Sequence, residues 1–468
     1  LEADIDDMDE TQLDLFERQL EAHNSRVRQL SLSGVFQTVL ERLKSSPSAL
    51  EFLSLSSSRL SLDPIPGALF NNTAPKLTGL ELYDCNISWR SPPKGLRTLE
   101  IRGPSEKARP SLEDWLDALD EMPQLEMLVL HGASPICSIG LAIVSEPHRT
   151  ITLPSLTQFE ITADVLDCVL ALTRLVLPAL TSLDVVITFE DQQGNDIGLL
   201  IPHVVRNAHG IQDMAPLQSI VIQGGECQAK IVAWTIPDAD IDDCIQITEC
   251  HAPRIHFRAH GYEWHYETHT AILDAFLTHL PTDAISALSI EELTRPSKEF
   301  LLRRVSSLVM LERVHLDSTT LGAFREMLIE DPPPNGARLP RLRKLVLCKV
   351  SLTALRTYRL RDMLEERAKQ GVPLETLDIR TCAAALHAIE LLATAVGDVQ
   401  GPSKTLTKGR PAFFHWKGGV EFFNEKEKLA EDDEYDNSHS SRYNGTDGGE
   451  NDSDDDTDSF QRVSLLWT

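Results

Sequence analysis

The side chains best suited to chemistry gather between Asp238 and His269. Asp238, Asp240, Asp242 and Glu249 fall at the first, third, fifth and twelfth positions of a calcium-loop pattern, with Ile245 at the eighth. Asp243 stands at the sixth, where that loop needs glycine for its sharp turn, and 231–237 reads as a strand rather than an entering helix. A solvated acidic loop is the expectation. Cys244, Cys250, His251, His256, His260, His265 and His269 crowd the same stretch. Thiolate and imidazole are zinc ligands, but these spacings match no zinc module, and His265-x-Glu267-x-His269 is not H-E-x-x-H. In an alternating strand, His256 and Arg258 would occupy the polar face while Ile255 and Phe257 point inward. Gly397-x-x-x-Gly401-x-x-Lys404-Thr405 imitates a phosphate loop but lacks glycine directly before the lysine, and Pro402 removes a backbone donor. No G-x-S-x-G, G-x-G-x-x-G or recognisable nucleophile–base pairing occurs. The chain is expected to be non-catalytic and to need no cofactor. A metal protein or enzyme built on the irregular 225–269 segment is the chemical alternative.

The elements carrying these residues follow from a recurring phrase, L-x-x-L-x-L. It reads Leu77-x-x-Leu80-x-Leu82, Leu125-x-x-Leu128-x-Leu130, Leu342-x-x-Leu345-x-Leu347 and Leu374-x-x-Leu377-x-Ile379. Looser copies start at Val27, Leu50, Leu96, Leu156, Leu180, Leu217, Ala252, Ile285 and Leu311, mostly 19 to 37 residues apart. The last two apolar positions are two apart and share one face of a strand. Each copy buries too little to fold alone, so copies must stack into one core. Pro75, Pro123, Pro154, Pro178, Pro216, Pro340 and Pro373 precede strands, where a missing N–H costs little. Cys85, Asn86 and Cys382 follow where the leucine-rich-repeat consensus places Cys or Asn. Strand then helix, repeated, predicts a leucine-rich-repeat solenoid: a right-handed β-α coil of about 13 irregular repeats with a curved parallel sheet.

Helical spacing marks the connectors at 34–46, 111–122, 163–175, 197–208, 268–280, 296–309 and 352–370. Residues 1–25 read as an acidic lead-in and one amphipathic helix, with Asp9 and Gln12 as a capping box and Leu13, Phe16 and Leu20 as its stripe. The repeats fill 26–396, with 225–269 an irregular loop or hairpin insertion. Residues 397–423, with Phe413, Phe414, Trp416, Phe422 and Phe423, could cap the open end. Residues 424–468 read as a disordered acidic tail that cannot bury enough apolar area to offset its ordering entropy.

Of 468 residues 42% are hydrophobic but only 6% aromatic, so Leu, Val and Ile must build the core. Net charge is −27, with −11 between Glu425 and Asp458, and both parts of the chain would repel phosphate backbones. No nucleic acid is expected as a partner, and no membrane either, since no apolar run reaches about 18 residues. The acidic first residues resemble no secretory signal, and eight scattered cysteines suit reduced thiols. Cytosol or nucleus is the expected compartment, and the sequons at Asn71, Asn86, Asn444 and Asn451 are read as chance.

A group of longer phrases points to a family. They are Leu153-Pro-Ser-Leu-Thr157, Val176-Leu-Pro-Ala-Leu-Thr-Ser-Leu183, the segment 202–210, Ala233-Trp-Thr-Ile-Pro-Asp-Ala-Asp240, Phe324-Arg-Glu-Met-Leu328 and the segment 371–382. In this order the chain resembles, over roughly residues 1–400, the F-box/leucine-rich-repeat-like proteins of mushroom-forming fungi. In that family an N-terminal F-box docks the small adaptor of a cullin-based ubiquitin ligase, and the repeats recruit a target. No L-P-x-E-I-L-like F-box is visible here, so a cullin-ligase adaptor is expected as a partner only if an F-box lies upstream. The resemblance implies the substrate-binding part of a ligase receptor; a repeat scaffold without any ligase tie is the alternative.

The residues between the inward leucines should form the contact surface. The candidates are Glu81, Tyr83, Glu100, Arg102, His131, Glu160, Asp184, His256, Arg258, Glu291, His315, Asp317, Asp378 and Arg380. Thirteen strands about 4.8 Å apart would span on the order of 60 Å, a width that suits a protein or peptide partner. The plain alternative for each residue is simple solvation.

Overall fold

Alternating leucines commit each phrase to a strand with one apolar face. In the computed structural model all thirteen phrases become strands of one sheet, each strand opening two residues into its phrase, or three for the copy at Ala252. The structure describes residues 1–34, 39, 49–57, 74–136, 149–188, 197–209, 215–225, 228–236, 254–260, 266–293, 298–329 and 337–401. All of the expected cap at 397–423 beyond residue 401, the acidic tail, the calcium-like loop and most of the connector at 34–46 lie outside the described residues.

The strands are β1 (Glu2–Asp4), β2 (Gln29–Ser33), β3 (Phe52–Ser56), β4 (Gly79–Tyr83), β5 (Thr98–Arg102) and β6 (Met127–His131). Next come β7 (Ile151–Thr152), β8 (Gln158–Ala163), β9 (Leu175–Val176), β10 (Ser182–Thr188), β11 (Ser219–Gly224), β12 (Gln228–Trp234) and β13 (Ile255–His260). The last are β14 (Ala287–Glu291), β15 (Arg313–Leu316), β16 (Lys344–Leu347), β17 (Ser351–Leu352), β18 (Thr376–Asp378), β19 (Ala383–Ala384) and β20 (Asp398–Gln400). Sixteen of them form one unclosed, mostly parallel sheet, ordered β1-β2-β3-β4-β5-β6-β8-β10-β13-β12-β11-β14-β15-β16-β18-β20. The pairs β7–β9 and β17–β19 stand apart.

Nine helices occur among the described residues: α1 (Glu10–His23), α2 (Leu112–Asp120), α3 (Val165–Arg174), α4 (Ile197–His209), α5 (Tyr266–His279), α6 (Lys298–Arg304), α7 (Leu321–Ile329), α8 (Ala354–Lys369) and α9 (Leu386–Leu392). Their apolar stripes and the inward strand residues share one continuous core. Local capping follows the residue types. Asp9 Oδ1 accepts from the Gln12 amide at 2.8 Å while Gln12 Oε1 accepts from the Asp9 amide at 3.0 Å, a reciprocal box that starts α1. Ser111 Oγ accepts from the Asp114 amide at 3.1 Å and starts α2.

Two expectations are corrected. The strands do not follow chain order, and they are not all parallel. β13 pairs with β10 and β11 pairs with β14, while β12 lies between β11 and β13 and runs antiparallel to both. Parallel strands need a crossover, whereas a short turn joins only antiparallel ones. The link from Gly224 to Gln228 is too short for a crossover, so β12 must run back, and β13 then returns the chain to the parallel direction. β1 and β20 were also unforeseen; each adds a three-residue edge.

The strand ends repeat a device. Gly34, Asp84, Gly103, Gly132, Glu292 and Lys349 all have positive φ, and each lies two residues beyond the last inward strand residue. At Gly132, with φ of 66°, an added Cβ would meet nothing within 4 Å. Gly132→Ala should therefore cost only the left-handed backbone penalty, about 1 kcal/mol, read from the urea midpoint. A loss above about 3 kcal/mol would contradict this account.

The consensus Cys positions close these turns. Cys85 Sγ lies 3.1 Å from Tyr83 O of its own strand and 3.6 Å from Leu55 O of the neighbouring one, and Cys382 Sγ donates to Leu347 O at 3.2 Å. Burial pushes their thiols up to about 12 and about 11. Asn86 is buried, its Oδ1 accepting from the Ser105 amide at 3.0 Å, so this sequon is closed to modification in the folded chain.

Candidate interaction surface

Outward side chains stand in rows because the strands pair in strict register. The middle row runs Glu2, Ser31, Ser54, Glu81, Glu100, Val129, Glu160, Asp184, His256, Val232, Val221, Ser289, His315, Val346, Asp378 and Gln400. A second row begins Asp4, Ser33, Ser56, Tyr83, Arg102, His131, Thr162, Val186 and Arg258. Registers between neighbouring strands thus align residues separated by up to 72 positions in sequence.

The two halves of this face differ. From β1 to β13 the middle row is partly open to solvent. From β12 onward Val232, Val221, Ser289, His315, Val346 and Asp378 are all buried. Val221, Val232, Trp234 and Ala287 form an apolar cluster separate from the main core. Three of the expected contact residues are buried and unable to touch a partner as they stand: His315 and Asp378 in the closed half, and Glu100 within the open one. For two of them the cause is plain. Tyr83 and Arg102 close over Glu100, and Arg380 and Lys344 close over Asp378.

A hydrogen-bonded string crosses β4, β5, β6 and β8. Tyr83 Oη donates to Glu100 Oε1 at 2.6 Å, and Arg102 Nε donates to the same oxygen at 2.5 Å. Arg102 Nη1 meets His131 Nδ1 at 2.9 Å, and His131 Nε2 meets Glu160 Oε1 at 2.7 Å. A guanidinium can only donate and a carboxylate can only accept. Nδ1 of His131 is thus the acceptor and Nε2–H the donor. The next pair repeats the chemistry: Asp184 Oδ2 accepts from His256 Nδ1 at 2.9 Å and from Arg258 Nη2 at 3.0 Å.

The charges respond to these contacts. Burial, then the bond to Glu100, pushes the Tyr83 hydroxyl well above the ordinary phenol range. Burial opposes the Arg102 charge, but its bond to Glu100 and that carboxylate's charge outweigh it and hold Arg102 above its usual value. Burial, then the charge of Glu100, raises the Glu81 carboxyl; a hydrogen bond with Ser54 and the Arg102 charge only partly offset this. A raised carboxyl contributes stability below its ordinary value of 4.5 that is lost as pH rises through the folded value. Near neutral pH, ionised Glu81 therefore opposes folding. At Asp378 burial pushes upward, but the Arg380 bonds and the Lys344 charge prevail and hold it below the usual range.

The remaining candidates serve locally. Asp317 Oδ1 accepts from the Thr319 and Thr320 amides, both at 3.0 Å, and from both hydroxyls at 2.7 Å, so it holds the start of α7. Its Oδ2 accepts from the Glu292 amide at 2.6 Å. Glu291 accepts from Ser289 Oγ at 2.9 Å, and Arg380, exposed, clasps Asp378. Among the described residues no group of three His, Cys, Asp or Glu side chains could hold a metal ion. Cys244, Cys250, His251 and His265 of the histidine-rich stretch lie outside the described residues, and so do Pro402 to Thr405. Among the described residues no helix is long and apolar enough to cross a membrane.

What no sequence reading revealed is which outward residues bond to one another. Asp184 and His256 are 72 residues apart, and only the reversed strand order brings them together. No protein-family model matches this chain, and no curated protein does.

Proposed function

We propose that the chain is a leucine-rich-repeat solenoid acting as a non-catalytic protein-recognition module. In this reading it is the substrate-binding part of an F-box-type ubiquitin-ligase receptor. One observation carries the recognition part: outward side chains align in a single row through every strand of the sheet, from Glu2 to Gln400. The half-open members of that row, from Glu2 to His256, offer shallow polar contacts, which suits an extended partner. The conversion of every phrase into a strand, and the Cys85 and Cys382 contacts to the preceding strand, support the repeat reading. The ligase link rests on the family resemblance of the sequence.

The test uses the full-length gene product. Affinity capture with the unaltered chain should recover a target that is lost with Glu160→Gln/Arg258→Gln and retained with Glu113→Gln, an exposed change on α2. Equal recovery by all three would remove the face from the proposal. A purified adaptor–cullin pair should co-elute with the same product. Target capture without co-elution would leave a repeat scaffold and end the ligase link.

A further inference from the structure

The reading above does not say what kind of partner the face selects, but the distribution of charge and burial does. The middle row is mostly half-open from β1 to β13, nine strands spanning on the order of 40 Å, with Glu100 and Val129 buried among them. Its middle row carries Glu2, Glu81, Glu100, Glu160 and Asp184 and no lysine or arginine. The second row adds Asp4 against Arg102 and Arg258. Both guanidiniums already donate to carboxylates of the same face, Arg102 to Glu100 and Arg258 to Asp184. The cations of the strip are therefore engaged, and carboxylates remain in excess.

We propose that this mostly half-open part of the face receives an extended, lysine- or arginine-bearing segment of a partner protein, whose cations seat at Glu81 and Glu160, half-open carboxylates of the row. The proposal rests on the recognition reading above and specifies its chemistry. Three features support it. Charge complementarity requires cations from outside, since those on the strip are spent. The Tyr83–Glu100–Arg102–His131–Glu160 string holds its side chains in place before binding, so little rotamer freedom is lost on contact. Tyr83 also offers an aromatic ring beside Glu81, a setting in which a cation gains from the ring face as well as the carboxylate. The unfavourable position of ionised Glu81 fits the same picture, because a partner's cation would relieve it.

The experiment measures fluorescence anisotropy with the full chain and two labelled probes of about twelve residues, alternating Lys-Ser and alternating Glu-Ser, each able to span about 40 Å when extended. At about 50 mM salt, where surface charges are weakly screened, the Lys-Ser probe should bind. Glu81→Gln/Glu160→Gln should weaken it about 10-fold, while Glu113→Gln/Glu299→Gln, an equal charge change on α2 and α6, should alter it by less than about twofold. Thermal denaturation should show the Glu81→Gln chain to be as stable as the parent or more so, which separates lost binding from lost folding. Equal effects of the two pairs, or none from either, would overturn the proposal, since the probe would then answer to overall charge. Binding of the Glu-Ser probe instead, lost with Arg102→Gln/Arg258→Gln, would overturn the basic partner while leaving a recognition face. Indifference of both probes to every face variant would remove the recognition reading as well.

Discussion

Asp167→Ala is expected to destabilise the chain by about 3–5 kcal/mol, because it strands a partly buried guanidinium. Asp167 lies in the first turn of α3 and pairs with Arg109, their side chains 8% and 15% exposed. Arg109 also donates to the Ser134 carbonyl at 3.1 Å and hydroxyl at 3.3 Å. One cation thus ties the approach to α2, the segment after β6 and the start of α3. Removing the carboxylate leaves the charge desolvated with only weak acceptors. Removing both charges, as Arg109→Met/Asp167→Leu, should recover most of the loss, since apolar packing can replace a buried pair. Urea unfolding of the four chains gives the coupling. A loss below about 1 kcal/mol in the single variant would show that the pair is effectively solvated.

Phe257→Ala should cost a similar amount, about 3–5 kcal/mol, through a cavity the core cannot close. Phe257 is fully buried and meets Phe276 of α5 edge-on, the ring centres 4.7 Å apart at 60°. Its neighbours His256 and Arg258 point to the opposite face and bond to Asp184. The cavity therefore lies directly beneath the open row. β13 joins β10 to β12, so its loosening should separate the sheet into two unfolding steps. Hydrogen exchange should show amides of 255–260 losing protection ahead of those in β3 and β4. Uniform loss across the sheet would exclude this order.

Much of the fold was legible because the controlling signal is local. Leu80 and Leu82, or Leu128 and Leu130, sit two apart and must share a face, and all thirteen such sites became strands. The outward positions were legible for the same reason. Strand order was not, because pairing partners are chosen by contacts far apart in sequence. β12 was legible as a strand, since 231–237 reads as one, but its direction and partners were not, because both faces are apolar: Ala229, Ile231 and Ala233 on one, Val232 and Trp234 on the other. The turn device was half hidden. Gly34, Gly103 and Gly132 advertise a left-handed backbone, while Asp84, Glu292 and Lys349 adopt the same conformation without the residue that signals it. Polar residues at outward positions read as exposed, and nothing local distinguishes buried His315 or Asp378 from half-open Glu160.

The reversed placement of β11, β12 and β13 bears on how a ribosome delivers this chain. When β10 emerges, its free edge must wait for β13, whose partner residues lie 72 positions later. At about 5–20 residues per second that wait is roughly 4–14 s. β11 emerges first, runs in the same direction as β10 and is itself a Val- and Ile-bearing strand, so it is the natural wrong neighbour for that edge. Cotranslational folding of this molecule thus contains a built-in competition between an early mismatch and a late correct mate, and slowed translation through 225–255 would favour the mismatch.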